Sequence, residues 1–185
     1  MKTLTYEYVS ECLRYDPDTG KLYWLERNQS HFKDVRALKV HRTSKAGKVA
    51  GCFDKSTGYL VIGINYKILY AHRLAWLLTH GTWPSGMIDH INGDKTDNRL
   101  ENLRSVSQFE NAKNARLSRN NKSGTPGVSL DKRSGKWRAR IMSNYREVYA
   151  RSFSTKDEAI AARKEAQVNY GFHENHGRKA WSAVQ

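Results

Sequence analysis

Between residues 86 and 118 the chain changes character four times. Ile88-Asp89-His90-Ile91 reads as a short strand, and Asn92-Gly93-Asp94 opens a polar loop. Leu100 to Val106 reads as a second strand, and Ser107-x-x-Glu110 is a capping box that starts a helix near Gln108. A β-β-α unit this small buries too little apolar surface to hold itself together. It needs a staple of another kind, and that requirement constrains the rest of the reading.

Upstream, Thr5 suits a helix N-cap, with Val9, Cys12 and Leu13 at helical spacing and a turn from Asp16 to Gly20. Lys21 to Leu25 reads as a strand. Residues 26–48 are polar, basic and aperiodic, which predicts a loop. Tyr59 to Ile64 and Lys67 to Tyr70 read as a hairpin turning at Asn65-Tyr66. Ala71 to His80 carries Leu74, Leu77 and Leu78 on one face and stops at Gly81, the pattern of an amphipathic helix.

Downstream, residues 113–126 have the Asn, Arg, Lys, Ser and Gly content of a linker. Strands follow at 127–130, 136–142 and 148–153, and Thr155-x-x-Glu158 caps a helix with an Ala159, Ala162, Ala166 stripe that ends at Gly171. Residues 173–185 read as a tail with Trp181 as an anchor. The expected fold class is α+β, with domains at 1–112 (β-β-α core about 86–118) and 127–172, the linker between them and the tail after them.

Charge separates the functions these parts can serve. The 185 residues hold 32 Lys and Arg against 18 Asp and Glu, net +14, while 38% hydrophobic content excludes a wholly disordered basic tail. Residues 67–112 are balanced at 5 against 5, and residues 113–155 carry 11 against 2. That distribution predicts chemistry in the middle and a grip on a polyanion, DNA above all, after it. No apolar run approaches the roughly 20 residues that span a bilayer, and Met1-Lys2-Thr3 opens no signal sequence, so no membrane association is expected. Cys12 and Cys52 supply neither a disulfide framework nor a four-cysteine zinc site, and a cytoplasmic location is expected.

The central segment resembles the HNH, or ββα-metal, nucleases in the form found in phage homing endonucleases. The likeness runs through Ala71-His72-Arg73-Leu74-Ala75-Trp76, Ile88 to Asp94, Asp97-Asn98-Arg99-Leu100-Glu101-Asn102-Leu103-Arg104 and Glu110-Asn111. It implies that His90 is the general base, that Asp89 and Asn111 are metal ligands, and that Asn102 braces the loop. His72 stands as either an auxiliary of that site or a partly buried structural histidine. Lys95, Arg99 and Arg104 stand as either phosphate contacts or solvated loop charges.

The chemistry agrees with those roles. Phosphodiester hydrolysis needs a water deprotonated near neutral pH, which suits an imidazole of pKa about 6.5. It also needs a cation at the departing 3′ oxygen. Hard oxygen donors with no thiolate favour Mg²⁺ or Mn²⁺. Many HNH proteins carry His where this chain has Asn111, which removes a nitrogen ligand. Adjacent strand residues point to opposite faces, so Asp89 and His90 meet one phosphate only where the strand is irregular or the phosphate straddles its edge.

The C-terminal segment resembles AP2-type DNA-binding domains through Gly127 to Leu130, Gly135-Lys136-Trp137-Arg138-Ala139-Arg140-Ile141, Phe153 to Ala159 and Tyr170-Gly171. The resemblance implies a three-stranded antiparallel sheet, packed on one helix, that enters the major groove. Period-2 alternation puts Lys136, Arg138 and Arg140 on one face, and Trp137, Ala139 and Ile141 on the other, against the helix. Lys132, Arg146 and Arg151 are expected to extend the basic face.

These expectations combine into a metal-dependent, site-recognising DNA endonuclease of the phage homing type, working in the bacterial host cytoplasm. It would act on double-stranded DNA as a monomer that nicks or as a DNA-assembled dimer that cuts both strands. The alternative is a non-catalytic DNA-binding regulator that uses the HNH unit as scaffold.

Overall fold

Thr5 starts the first helix as its side chain accepts a hydrogen bond from the Tyr8 amide at 3.3 Å. The computed structural model describes residues 4–115, 117–143, 145–174 and 176–178; Trp181 lies outside the described residues. Contacts divide the chain into two units, residues 1–105 and 106–185. The fold is mixed α+β, with small sheets and few helices.

In the first unit, α1 (Tyr6–Ser10) leads into β1 (Leu13–Asp16), which pairs antiparallel with β2 (Lys21–Trp24). Leu13 therefore belongs to a strand rather than to the helix its spacing predicts, because pairing with Trp24 across the hairpin outweighs a weak local helical preference. The predicted loop at 26–48 contains α2 (Val35–Ser44), capped by Asp34, whose carboxylate accepts from the Ala37 amide at 2.8 Å. Only Leu38 and His41 of this helix are buried, too few to show as an apolar period in the sequence.

β3 (Cys52–Asp54), β4 (Tyr59–Ile64) and β5 (Lys67–Tyr70) form an antiparallel sheet in that order. Asn65 and Tyr66 both take positive φ between β4 and β5, the primed turn that matches strand twist. α3 (Ala71–His80) stops at Gly81 in the left-handed region. It packs Leu74 and Leu77 with Val9, Leu13, Ile62 and Ile64 into the main core. Full burial of such side chains is worth about 1.5–3 kcal/mol each.

β6 (Met87–His90) pairs with β7 (Leu103–Val106), which a 3-10 turn over Leu100–Asn102 precedes. Their own apolar cluster is small: Ile88 and Leu103 with Ala75 of α3, flanked by Tyr15 and Trp76.

In the second unit, the capping box of Ser107 and Glu110 starts α4 (Gln108–Ala112). β8 (Val128–Leu130), β9 (Trp137–Ser143) and β10 (Arg146–Phe153) form an antiparallel sheet in the order β10-β9-β8. The capping box of Thr155 and Glu158 starts α5 (Lys156–Asn169). Val128, Ala139 and Ala159 join sheet and helix, with Trp137 and Phe153 packed against them.

The segment expected as a linker is folded onto this unit. Asn114, Ser123 and Thr125 are buried. Residues of the expected tail close on it through backbone bonds: His173 to Lys113 at 3.2 Å, Gly177 to Ala115 at 2.9 Å, and Leu117 to Arg178 at 2.9 Å. Polar side chains that find backbone partners can order a segment whose composition alone reads as open chain.

Candidate active site

β6 carries Asp89 and His90 side by side, and both are buried, at 8% and 4% exposure. Strand alternation aims them at different neighbours. Asp89 turns to β7, where Arg104 donates to its Oδ2 from Nε at 3.0 Å and from a terminal nitrogen at 2.8 Å. His90 turns toward β4 and α3. Its ring lies 5.1 Å from that of His72, edge-on, and 5.9 Å from that of Tyr59.

The loop between the strands holds the imidazole. Asn98, only 1% exposed, presents Oδ1 to His90 Nε2 at 3.1 Å. An amide oxygen only accepts, so Nε2 carries the proton and Nδ1 is the basic nitrogen of the ring. Burial pushes the His90 pKa down, and the bond to Asn98 offsets part of that shift. The ring is therefore neutral at neutral pH, the state a general base requires.

Asn98 is itself fixed from the N-terminal hairpin. Tyr15 Oη donates to the Asn98 carbonyl at 2.8 Å, and Leu100 donates its amide to Pro17 at 3.3 Å. Gly20, at φ +70°, lies against the same backbone; a Cβ there would come within 2.5 Å of the Arg99 amide nitrogen. Burial, helped by Asp16, Asp97 and Asp18, pushes the Tyr15 hydroxyl up to about 12, so it remains a donor.

Asn102 ties the two ends of the loop. Its Oδ1 accepts from the Asn92 amide at 2.9 Å, and its Nδ2 donates to the Asp97 carbonyl at 2.8 Å. Asp97 adds a fork to Arg99, at 2.9 Å from Nε and 2.8 Å from a terminal nitrogen. The Arg99 hydrogen bonds hold the Asp97 carboxyl down at about 2. This polar lattice supplies the staple that so small a strand pair needs.

His72, at the start of α3, is buried among Tyr59, Tyr70 and His90. Its Nδ1 has no hydrogen-bond partner. Burial, with the charges of His90, Arg73 and Lys95, pushes its pKa down to about 3. Lys95 donates to the Thr57 carbonyl at 2.8 Å with its Nζ 4.3 Å from the Tyr59 ring centre. Lys95, Arg99 and Arg104 thus all have partners within the unit. Sequence reasoning passed over Asn98, Tyr59 and Tyr70 at this site; only the position of Asn98 between Asp97 and Arg99 offered a signal.

Asn111 lies on α4, in the second unit. Among the described residues no group of three His, Cys, Asp or Glu side chains is placed to hold a metal ion.

In the second unit, Lys132, Lys136, Arg138, Arg140, Arg146 and Arg151 are all exposed. Arg138 and Arg140 alternate with buried Ala139 and Ile141, and Arg138 also pairs with Glu147 at 2.8 Å. Arg151 stands opposite Ala139, and Arg146 opposite Ser143. Cross-strand partners share a face, so both belong to the series that faces α5 and do not extend the Arg138 surface. A bulge between Glu147 and Tyr149 shifts the register, which strand parity alone could not show.

The comparisons bear on the strand pair and its flanks. Residues 69–113 match the family model described as HNH endonuclease, a span that contains His72, Asp89, His90, Asn98, Asn102, Arg104 and Asn111. Protein 3.8 of Escherichia phage T7 is 33% identical over 88 residues, which cover 47% of this chain and 73% of that protein. The chain belongs to the family of Protein 3.8. The polar lattice of Asn92, Asp97, Asn98, Arg99 and Asn102 lies within the segment that matches the HNH endonuclease model. A solved structure of DNA binding and cleavage by the HNH homing endonuclease I-HmuI aligns with a TM-score of 0.40 and 24% identity, covering 62% of this chain; the chain spans 57% of that one. No helix among the described residues is long and apolar enough to cross a membrane.

Proposed function

We propose that this member of the Protein 3.8 family is a metal-dependent, site-recognising DNA endonuclease of the homing type, acting in a bacterial host. The observation that carries the reading is His90: a buried, neutral imidazole inside the HNH segment, its Nε2 proton held by Asn98. Such a ring takes a proton from water at Nδ1. Asn98 keeps that nitrogen basic, and the aromatic wall of Tyr59 and His72 excludes solvent from one side.

A divalent ion, Mg²⁺ or Mn²⁺, fits the donor chemistry: Asp89 and Asn111 offer hard oxygens and the set holds no thiolate. In the ββα-metal arrangement these two residues would hold the ion, which supplies Lewis-acid stabilisation of the departing 3′ oxygen. The products would be 3′-hydroxyl and 5′-phosphate ends. One such site cuts one strand, so a monomer nicks and a dimer assembled on DNA cuts both. The basic face of Lys136, Arg138 and Arg140, on an AP2-like sheet and helix, would hold the duplex.

The second reading, a DNA-binding regulator with an inert HNH scaffold, draws on the Arg104 pair, since a carboxylate already neutralised by a guanidinium has less need of a cation. Incubating supercoiled plasmid with Mg²⁺ and either wild type or His90→Ala separates the two. Cleavage by the wild type alone supports the nuclease. An inert wild type, or equal cleavage by both, overturns it.

A further inference from the structure

The net charge of residues 1–66, with 11 basic and 7 acidic side chains, is concentrated in one stretch: residues 26–48 hold seven Lys and Arg against Glu26 and Asp34. α2 gives that stretch a shape. Leu38 and His41 turn inward, while Arg36, Lys39 and Val40 are exposed, Val40 at 57%.

Some of the charge is already engaged. Arg27 is buried and donates to Tyr8 Oη at 2.9 Å and to His31 at 3.1 Å. Arg42 pairs with Glu26 at 2.8 Å, and Lys45 Nζ lies 5.1 Å from the Trp24 ring centre. Asp34 serves as the cap of α2. That leaves Lys33, Arg36, Lys39 and Lys48, which form no ion pair among the described residues; the first three lie on α2 or just before it.

Lys33 and Arg36 also border a groove of 480 Å³ whose other walls include Phe32, Val40, Trp24 and Lys45. The groove shares no residue with the His90 site. Asp34 lines the same groove with its carboxylate engaged at the Ala37 amide, and the surface stays net positive, so a polyanion laid along it removes the remaining repulsion. Charges three residues apart on a helix stand about 5–6 Å from each other, so Arg36 and Lys39 can each meet a different backbone oxygen.

We infer that α2 and its groove form a second duplex-DNA surface, within the unit that carries His90, which takes the sugar-phosphate backbone through Lys33, Arg36 and Lys39 without reading bases. The inference rests on the DNA endonuclease reading and deepens it. The proposed C-terminal sheet then selects the site, while α2 holds flanking duplex on the first unit. A basic helix also suits an anionic membrane, but the exposed apolar side chains of α2 are only Val35 and Val40, with none of the Trp, Phe or Leu face that enters a membrane interface, so its exposed Lys and Arg suit phosphates in a backbone better.

The test uses the full chain with His90→Ala, no divalent ion, and fluorescence anisotropy on target and random-sequence duplexes across a salt series. Changing Lys33, Arg36 and Lys39 together to Gln should lower the slope of log affinity against log salt by about 2.7, about 0.9 per phosphate contact. The loss should be equal on both duplexes. These side chains are exposed, so the thermal midpoint should hold; Lys39→Glu alone is the second variant, lowering the slope by about 1. An unchanged slope in both variants overturns the inference alone, as does a loss confined to the target duplex or binding of anionic vesicles with no change on DNA. A parent that binds no duplex overturns the nuclease reading and this inference together.

Discussion

Replacing Asn98 with Ala removes the acceptor that faces His90 Nε2 at 3.1 Å, in a place where Asn98 is 1% exposed and water does not easily substitute. A neutral hydrogen bond is worth about 0.5–1.5 kcal/mol net, and a buried donor left unmade costs about 1–3 kcal/mol. Most of that difference acts on the tautomer: without the acceptor, the form protonated at Nδ1 becomes competitive, and it has no basic nitrogen where one is needed. A shift of about 1.4 kcal/mol is tenfold in rate. Single-turnover cleavage by Asn98→Ala should therefore fall about tenfold, well short of the about 10²–10⁴ that loss of a general base removes.

Asn98→Asp acts the other way on the proton. A carboxylate beside the ring favours imidazolium and raises its pKa by about 1–3 units, so activity at pH 7 falls and returns as pH rises. In Asn98→Ala the acid limb moves to lower pH, because the bond removed is one that raises the His90 pKa. The assay is single-turnover cleavage of a labelled duplex at saturating divalent ion from pH 6 to 9. An alanine variant within twofold of wild type, or two variants whose limbs move together, would refute the positioning role.

Three further outcomes follow. Folded His72 takes a proton only near pH 3 and the unfolded chain near 6.5, so acidification through that window favours unfolding by up to about 1.4 kcal/mol per pH unit; urea midpoints of His72→Phe should fall less between pH 7 and pH 5 than those of wild type. Gly20→Ala puts a Cβ 2.5 Å from the Arg99 amide at φ +70°, and the left-handed penalty with overpacking should destabilise by about 2–4 kcal/mol; a thermal midpoint equal to wild type contradicts the proposed seating of the loop. Asp89→Asn should abolish Mg²⁺-dependent cleavage while duplex affinity measured without metal stays within about threefold; retained cleavage removes Asp89 from the metal site.

Much of this architecture was legible because single residues announce it. The capping boxes of Ser107 with Glu110 and Thr155 with Glu158, and Gly81 after α3, all mark helix ends in the structure. α2 was not legible, since its outward Lys and Arg give no apolar period and its role is read only from what Leu38 and His41 touch. β1 was hidden because Leu13 continues the spacing of Val9, and only its partner Trp24 makes it a strand.

At the candidate site, the Asp89-His90 string was readable, but the neighbours that set the state of His90 were not. Tyr59 lies on a strand far away in sequence, and Asn98 reads as one more polar loop residue until its burial is seen. The face of Arg151 depends on a bulge in β10, and bulges leave little trace in residue type. In each case the missing information was tertiary: a partner distant in the chain decides what a local pattern leaves open.

The central claim is that His90 activates the attacking water, and chemical rescue tests it most directly. With His90→Gly on a mapped duplex site, Mg²⁺ present, the account predicts cleavage reduced by about 10²–10⁴. Free imidazole should restore part of it, at the same phosphodiester bond and with 3′-hydroxyl and 5′-phosphate ends. Cleavage by His90→Gly at the wild-type rate, or a loss that imidazole leaves unchanged at every pH, would contradict it.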